Sequence, residues 1–204
     1  VITPDSLTLP QSYFSQMGAQ EVLTVVAGHL GLPVVVKPHQ GGSGLGVSYA
    51  STADELRSAM VACFAYDERA LIERYVPGTE LAVSVVDTGE GPHALPPVEV
   101  VTDGQYDFDA RYNPGRSEYF VPARLDDAVI ETVKATAVTV HTTLGLGNLS
   151  RTDLILDDEG TPWFIDVNVI PGMTETSLLP IAAEAEGSLE ELYDALVRNP
   201  LVHP

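Results

Sequence analysis

Two short segments near the carboxyl end restrict the fold more than any other feature of this sequence. Residues 149–156 and 161–167 have strand length and strand composition, and Asp157-Asp158-Glu159-Gly160 between them is a hairpin signal. A chain with this pattern needs an antiparallel sheet, and along each strand residues two apart point to one face. Arg151 and Asp153 therefore share a face of the first strand, as Asp166 and Asn168 do on the second. Asp153, near the middle of its strand, can sit opposite the latter pair across the hairpin.

Two carboxylates and an amide oxygen on one face make a hard-oxygen donor set suited to Mg²⁺, with phosphates and water completing the octahedron. Arg151 beside them can take developing phosphate charge through a bidentate contact. Single acids near a hairpin are ordinarily solvated, so the pattern alone leaves a metal–phosphate site and a solvated face both open. Next come Val169-Ile170-Pro171-Gly172-Met173-Thr174, where Gly172 lets backbone amides approach a substrate oxygen.

The rest of the chain reads as alternating helices and strands, an α+β pattern. A helix over 20–29 ends at Gly31, and a strand over 33–37 closes on Lys37. Residues 41–46, Gly-Gly-Ser-Gly-Leu-Gly, form a glycine loop before a returning strand at 47–50. It is not a Walker A motif, and a phosphate loop and a glycine-rich hairpin tip both fit it. Thr52 and Glu55 make a capping box for a helix to about residue 65, and a strand resumes at 70–74. Glu73-Arg74-Tyr75-Val76 can present backbone groups to an adenine edge, with Glu80 reaching ribose hydroxyls, but by itself the stretch reads first as an ordinary linker between lobes. Residues 80–87 alternate as a half-buried strand, with 93–101 as an antiparallel neighbour. The segment 106–122 reads as a long ordered loop, usually functional at that length. Helices at 126–144 and 188–198 complete the pattern.

Composition excludes several alternatives. With 29 acidic against 10 basic residues, a net charge of −19 argues against a broad nucleic-acid surface. A nucleotide is still permitted, because local amides, a few cations and Mg²⁺ bind it. No apolar run approaches the roughly 20 residues that span a bilayer, so no membrane partner is expected. The lone Cys63 suits a reducing cytoplasm. The chain opens on Val1-Ile2-Thr3-Pro4 with no signal-peptide pattern and no Met, which reads as a processed chain or a fragment.

Taken in order, Val34-Val35-Val36-Lys37-Pro38, Gly42-Ser43-Gly44-Leu45-Gly46-Val47, Leu71-Ile72-Glu73, Tyr106-Asp107-Phe108-Asp109-Ala110-Arg111-Tyr112, Arg151-Thr152-Asp153 and Asn168 through Pro171-Gly172-Met173-Thr174 to Ser177 resemble the D-alanine–D-alanine ligases. The likeness covers essentially the whole chain. It implies an ATP-grasp fold of two α+β lobes, 1–76 and 77–204, whose antiparallel sheets enclose ATP, with 106–122 as a lid. It implies ATP-dependent joining of two D-alanines through an acyl phosphate for peptidoglycan. By motif, Lys37 would bind the α/β-phosphates, Glu73 and Val76 adenine, and Glu80 ribose, with Arg111 also at the nucleotide. Asp153, Asp166 and Asn168 would hold Mg²⁺ (or Mn²⁺). Arg151 and the Gly172 amide would stabilise the tetrahedral intermediate, and Ser177 and Leu178 would meet the second substrate's carboxylate. Ser43 and Tyr112 would tie the phosphate loop to the lid.

The resemblance also suggests a homodimer. Three departures stand out: Asp166 where the family has Glu, Arg111 where it has Lys, and no counterpart of the amino-terminal domain. A nucleotide-binding module derived from the ligase, or a ligase for another amino or hydroxy acid, are the alternative readings.

Overall fold

The computed structural model describes residues 1–102 and 117–198. Their contacts gather into two units, one built on Pro4–Val76, the other on Val1–Thr3, Pro77–Val101 and the chain from Glu118 on.

The first unit is an antiparallel sheet of β1 (Ser6–Pro10), β2 (Val34–Pro38), β3 (Ser48–Ala50) and β4 (Arg69–Arg74), in the order β1-β4-β2-β3. Three helices accompany it: α1 (Ser12–Met17), α2 (Ala19–Leu30) and α3 (Ala53–Cys63). Strand alternation sends Val34, Val36, Ala50, Ala70 and Ile72 into one core with Val22, Val26 and Leu30 of α2 and Leu56, Met60 and Cys63 of α3. The expected capping box opens α3: Glu55 N–H donates to Thr52 Oγ1, and Thr52 N–H to the Glu55 carboxylate, each at 3.2 Å. Sequence periodicity did not reveal β1, which pairs with β4 in register Leu7↔Ile72, nor the six-residue α1.

The second unit holds β5 (Thr79–Val86), β6 (His93–Ala94), β7 (Val98–Thr102), β8 (Ser117–Phe120), β9 (Leu149–Leu156) and β10 (Pro162–Asn168). The order is β10-β9-β5-β7-β8, with β6 also on β5. The helices are α4 (Asp127–Thr143), α5 (Leu178–Glu186) and α6 (Leu189–Arg198). Leu81, Val83, Val85, Leu154 and Leu156 form a core with Val133 and Ala137 of α4.

Two expectations need correction. The single strand at 93–101 is two, because Pro96-Pro97 supply no N–H to a ladder and break it. The loop at 106–122 ends earlier than expected: Ser117–Phe120 is strand β8, beside β7. The helix α5 was not anticipated either, since its Leu178-Leu179-Pro180 start carries no side-chain cap.

Candidate active site: two polar sheet faces

In the second unit, register decides which side chains meet. Along β9 and β5, Arg151 faces Ser84 and Asp153 faces Ala82, while Leu154 faces Leu81. Even-numbered β5 residues therefore share a face with Arg151 and Asp153, and odd-numbered ones point to the α4 core. Glu80 lies on the polar side, across from Ile155.

Strand β10 needs a correction to its phase before it can contribute. Phe164 pairs with Leu154, whose side chain is in the core. Simple alternation would then send Asp166 to the core face as well, opposite Thr152. An extra residue, Ile165, sits as a bulge between Phe164 and Asp166, and beyond it Asp166 pairs with Asp153 and Asn168 with Arg151. A bulge re-aims every residue that follows it. It brings all four polar groups onto one face, with directly opposed Cβ atoms about 5 Å apart. The hairpin turn that sets this register is held by Asp157, which accepts from Thr161 N–H at 2.7 Å and Trp163 Nε1–H at 2.7 Å. The Trp163 bond, then the Thr161 one, pull the Asp157 carboxyl below its ordinary range.

Within the cluster, Arg151 grips Asp153 with two parallel bonds, Nε to Oδ1 at 2.7 Å and Nη2 to Oδ2 at 2.9 Å. Both side chains are largely buried, at 9% and 14% exposure. Asp166 is exposed and accepts from Val167 N–H; Asn168 Oδ1 accepts from Ile170 N–H. Ser84, opposite Arg151, is buried, and its hydroxyl has no hydrogen-bond partner among the described residues. Sequence reasoning passed over Ser84, because only the register of β5 against β9 shows where it lies.

Further along, Gly172 and Ser177 come together: a Cβ added to Gly172 would lie 2.6 Å from Ser177 Oγ. Ser177 stands at the N-cap of α5 but does not cap it. Its hydroxyl pairs instead with Thr174 Oγ1 at 2.8 Å. Leu178, the first residue of α5, is buried.

In the first unit, Lys37 and Glu73 share the sheet face opposite the core. Val35 pairs with Glu73 and Lys37 with Leu71, so the two side chains meet diagonally, Nζ to Oε2 at 2.6 Å. Both are mostly buried, at 18% and 12% exposure. Residues 41–46 connect β2 to β3, with left-handed φ at Ser43 (58°), Gly44 (74°) and Gly46 (74°). Leu45 N–H bonds Gly42 O, and Val47 N–H bonds Gly44 O. Val76 ends this unit, half-buried. Arg111 and Tyr112 lie outside the described residues, as does most of the segment 106–122.

Comparison with known proteins turns this geometry into a family. Residues 5–198 match the model of the D-ala D-ala ligase C-terminus. The chain belongs to that family. It is 37% identical over 186 residues to the D-alanine–D-alanine ligase of Bordetella petrii, covering 90% of this chain and 57% of that protein. It is similar to the crystal structure of the VanG D-Ala:D-Ser ligase from Enterococcus faecalis, at 25% identity and a TM-score of 0.81, over 97% of this chain and 57% of that one. It also matches the Bacillus anthracis D-alanine–D-alanine ligase complexed with ATP, at 27% identity and a TM-score of 0.71, over 98% of this chain and 59% of that one. The chain thus spans somewhat over half the length of these relatives. Its fold is α+β, of the ATP-grasp type.

Proposed function

We propose that this chain carries the nucleotide-binding and catalytic residues of an ATP-dependent carboxylate–amine ligase that joins two D-alanines for peptidoglycan. One observation carries the reading: the bulge at Ile165 turns Asp166 and Asn168 onto the face of Arg151 and Asp153. Nothing in the packing of a β-hairpin requires that. A similar protein, the Bacillus anthracis ligase, is complexed with ATP.

The chemistry proceeds in two displacements. A carboxylate oxygen of the first D-alanine attacks the γ-phosphorus, and ADP leaves. The amine of the second D-alanine then attacks the acyl carbonyl, and phosphate leaves with the bonding pair. The protein positions the reactants and stabilises charge. Lys37 binds the α/β-phosphates under the glycine loop, and Glu73, Val76 and Glu80 hold adenine and ribose, with Arg111 also at the nucleotide. Arg151 and the Gly172 amide stabilise the oxyanion; Ser177 and the α5 start at Leu178 receive the second carboxylate. Ser43 and Tyr112 link loop and lid. The expected lobes 1–76 and 77–204 serve as the two halves of the site, with Val1–Thr3 grouped with the second.

Asp153, Asp166 and Asn168 fit Mg²⁺ (or Mn²⁺) by donor type: three oxygen ligands on one face, with Asp153 already paired to a cation, the Arg151 guanidinium. When bound, the metal supplies neutralisation of phosphate charge. We extend the reading to a homodimer acting in the cytoplasm, as the resemblance implies. Among the described residues no helix is long and apolar enough to cross a membrane.

The test is calorimetry of ATP binding with and without Mg²⁺, wild type beside Asp166→Asn, chosen because Asp166 is exposed and its loss should not disturb the fold. Mg²⁺-dependent binding weakened at least tenfold in the variant is expected. Binding indifferent to both Mg²⁺ and Asp166, or none at millimolar ATP, overturns the nucleotide site. Phosphate release that requires D-alanine separates a ligase from a nucleotide-binding module.

A further inference from the structure

The glycine loop at 41–46 has four glycines in six positions, so its own sequence does little to fix its shape. A loop that must present amides to phosphate loses affinity if it is ordered only on binding. Something outside the loop has to hold it, and two consecutive residues beyond the end of α3 contact both of its ends.

At the entry, the β2–β4 ladder continues past Pro38 through His39 N–H donating to Arg69 O at 3.0 Å. The next rung uses a side chain: Gln40 N–H donates to Asp67 Oδ2 at 2.6 Å. The other oxygen, Oδ1, accepts from Arg69 N–H at 3.0 Å, which fixes the carboxylate against β4. These bonds, that from Arg69 first and that from Gln40 next, hold the Asp67 carboxyl below its ordinary range. At the exit, Gly46 sits against the Tyr66 ring: a Cβ there would lie 2.7 Å from Tyr66 Cδ2 and 2.9 Å from Pro38 Cγ. The ring and the proline thus close on the backbone of Gly46 where φ is +74°. Tyr66 is 58% exposed.

We propose that Tyr66 and Asp67 are positioning residues that clamp the two ends of the glycine loop and so set its affinity for nucleotide phosphates. The clamp rests on the reading that this loop holds phosphates. Neither residue touches the nucleotide; each acts through the loop backbone.

The experiment compares MgATP with adenosine, which lacks phosphates, by calorimetry on wild type, Asp67→Ala, Asp67→Asn, Tyr66→Ala and Tyr66→Phe. The expected result is a loss of at least tenfold in MgATP affinity for the two alanine variants, with adenosine changed less than twofold. Asp67→Asn, which keeps one acceptor oxygen, falls between, and Tyr66→Phe, which keeps the ring, matches wild type. Unchanged MgATP affinity in the alanine variants, or equal losses for both ligands, overturns the clamp while a wild-type preference for MgATP leaves the phosphate-loop reading standing. A wild type that binds MgATP no tighter than adenosine removes that reading, and the clamp with it. Since Tyr66 is exposed, Tyr66→Ala decides the matter even if Asp67→Ala folds poorly.

Discussion

Replacing Asp153 by Ala should destabilise the protein far more than replacing Asp166, although both are read as ligands of one metal. Asp153 receives two charge-assisted bonds from Arg151, and the guanidinium is only 9% exposed. Removing the carboxylate leaves that guanidinium buried without its bidentate partner. Truncating one member of a buried pair costs about 3–5 kcal/mol. At roughly 2–4 °C per kcal/mol for a chain of this size, the melting temperature should fall by about 10 °C. Asp166 is exposed and bonds only the N–H of its neighbour Val167, so Asp166→Ala should change stability by less than about 0.5 kcal/mol. The double variant Arg151→Met/Asp153→Leu, which removes both charges, should recover to within about 1 kcal/mol of wild type. Urea denaturation measures all three. Mg²⁺-dependent ATP binding should vanish in every one of them, so stability and binding separate cleanly. A cost below about 1 kcal/mol for Asp153→Ala would falsify the buried-pair reasoning, because that is how a solvated surface pair behaves.

Three further outcomes follow from particular contacts. Thr52→Ala removes the N-cap acceptor of α3 and should cost about 1 kcal/mol in urea denaturation, with ATP binding unchanged. Glu99 is buried, and the Arg124 guanidinium holds its carboxyl below the ordinary range. A depressed folded-state pKa adds stability that is complete above the ordinary carboxylate range and fades as pH falls through the folded value. The stability gap between wild type and Glu99→Gln should therefore be full at pH 7 and shrink in acid; a gap that widens in acid would refute the assignment. Deleting Ile165 removes the bulge but makes Phe164 and Asp166 consecutive, so ordinary alternation keeps Asp166 and Asn168 on the polar face. Calorimetry should show Mg²⁺-dependent ATP binding retained in the deletion as in Ile165→Ala, and its loss in a folded deletion variant would refute the register.

What the sequence disclosed depended on how local each signal was. Thr52 and Glu55 lie three apart and act on each other, so their capping box was readable from the residues alone. The hairpin of β9 and β10 was readable for the same reason, with Asp157 and Gly160 supplying the turn. Strand β1 was not, because Leu7 and Leu9 owe their place to Ile72 and Ala70, more than sixty residues away. The clamp was equally hidden: Asp67 reads as a turn residue after a helix, and only the β2–β4 register brings it to Gln40. The bulge is the deepest case. The spacing of Asp166 and Asn168 said that they share a face, but not which one. That choice rests on one extra residue in the ladder, and no periodicity reports it.

On the proposed reading, the same geometry lets a chain of net charge −19 receive a polyanion. Lys37 is neutralised by Glu73 at 2.6 Å, and Arg151 by Asp153 at 2.7 Å, each pair largely out of water. A phosphate approaching either sheet face therefore meets a local balance rather than the field of the whole surface, which salt confines to about 8–10 Å. Binding is then an exchange: the phosphate takes the ammonium or guanidinium partly from its carboxylate. At Asp153 the displaced carboxylate is the one the reading assigns to the metal. Cation and anion would thus be redistributed together, with no bare buried charge left behind. That is the physical reason a hard-oxygen cluster and a guanidinium belong on one face.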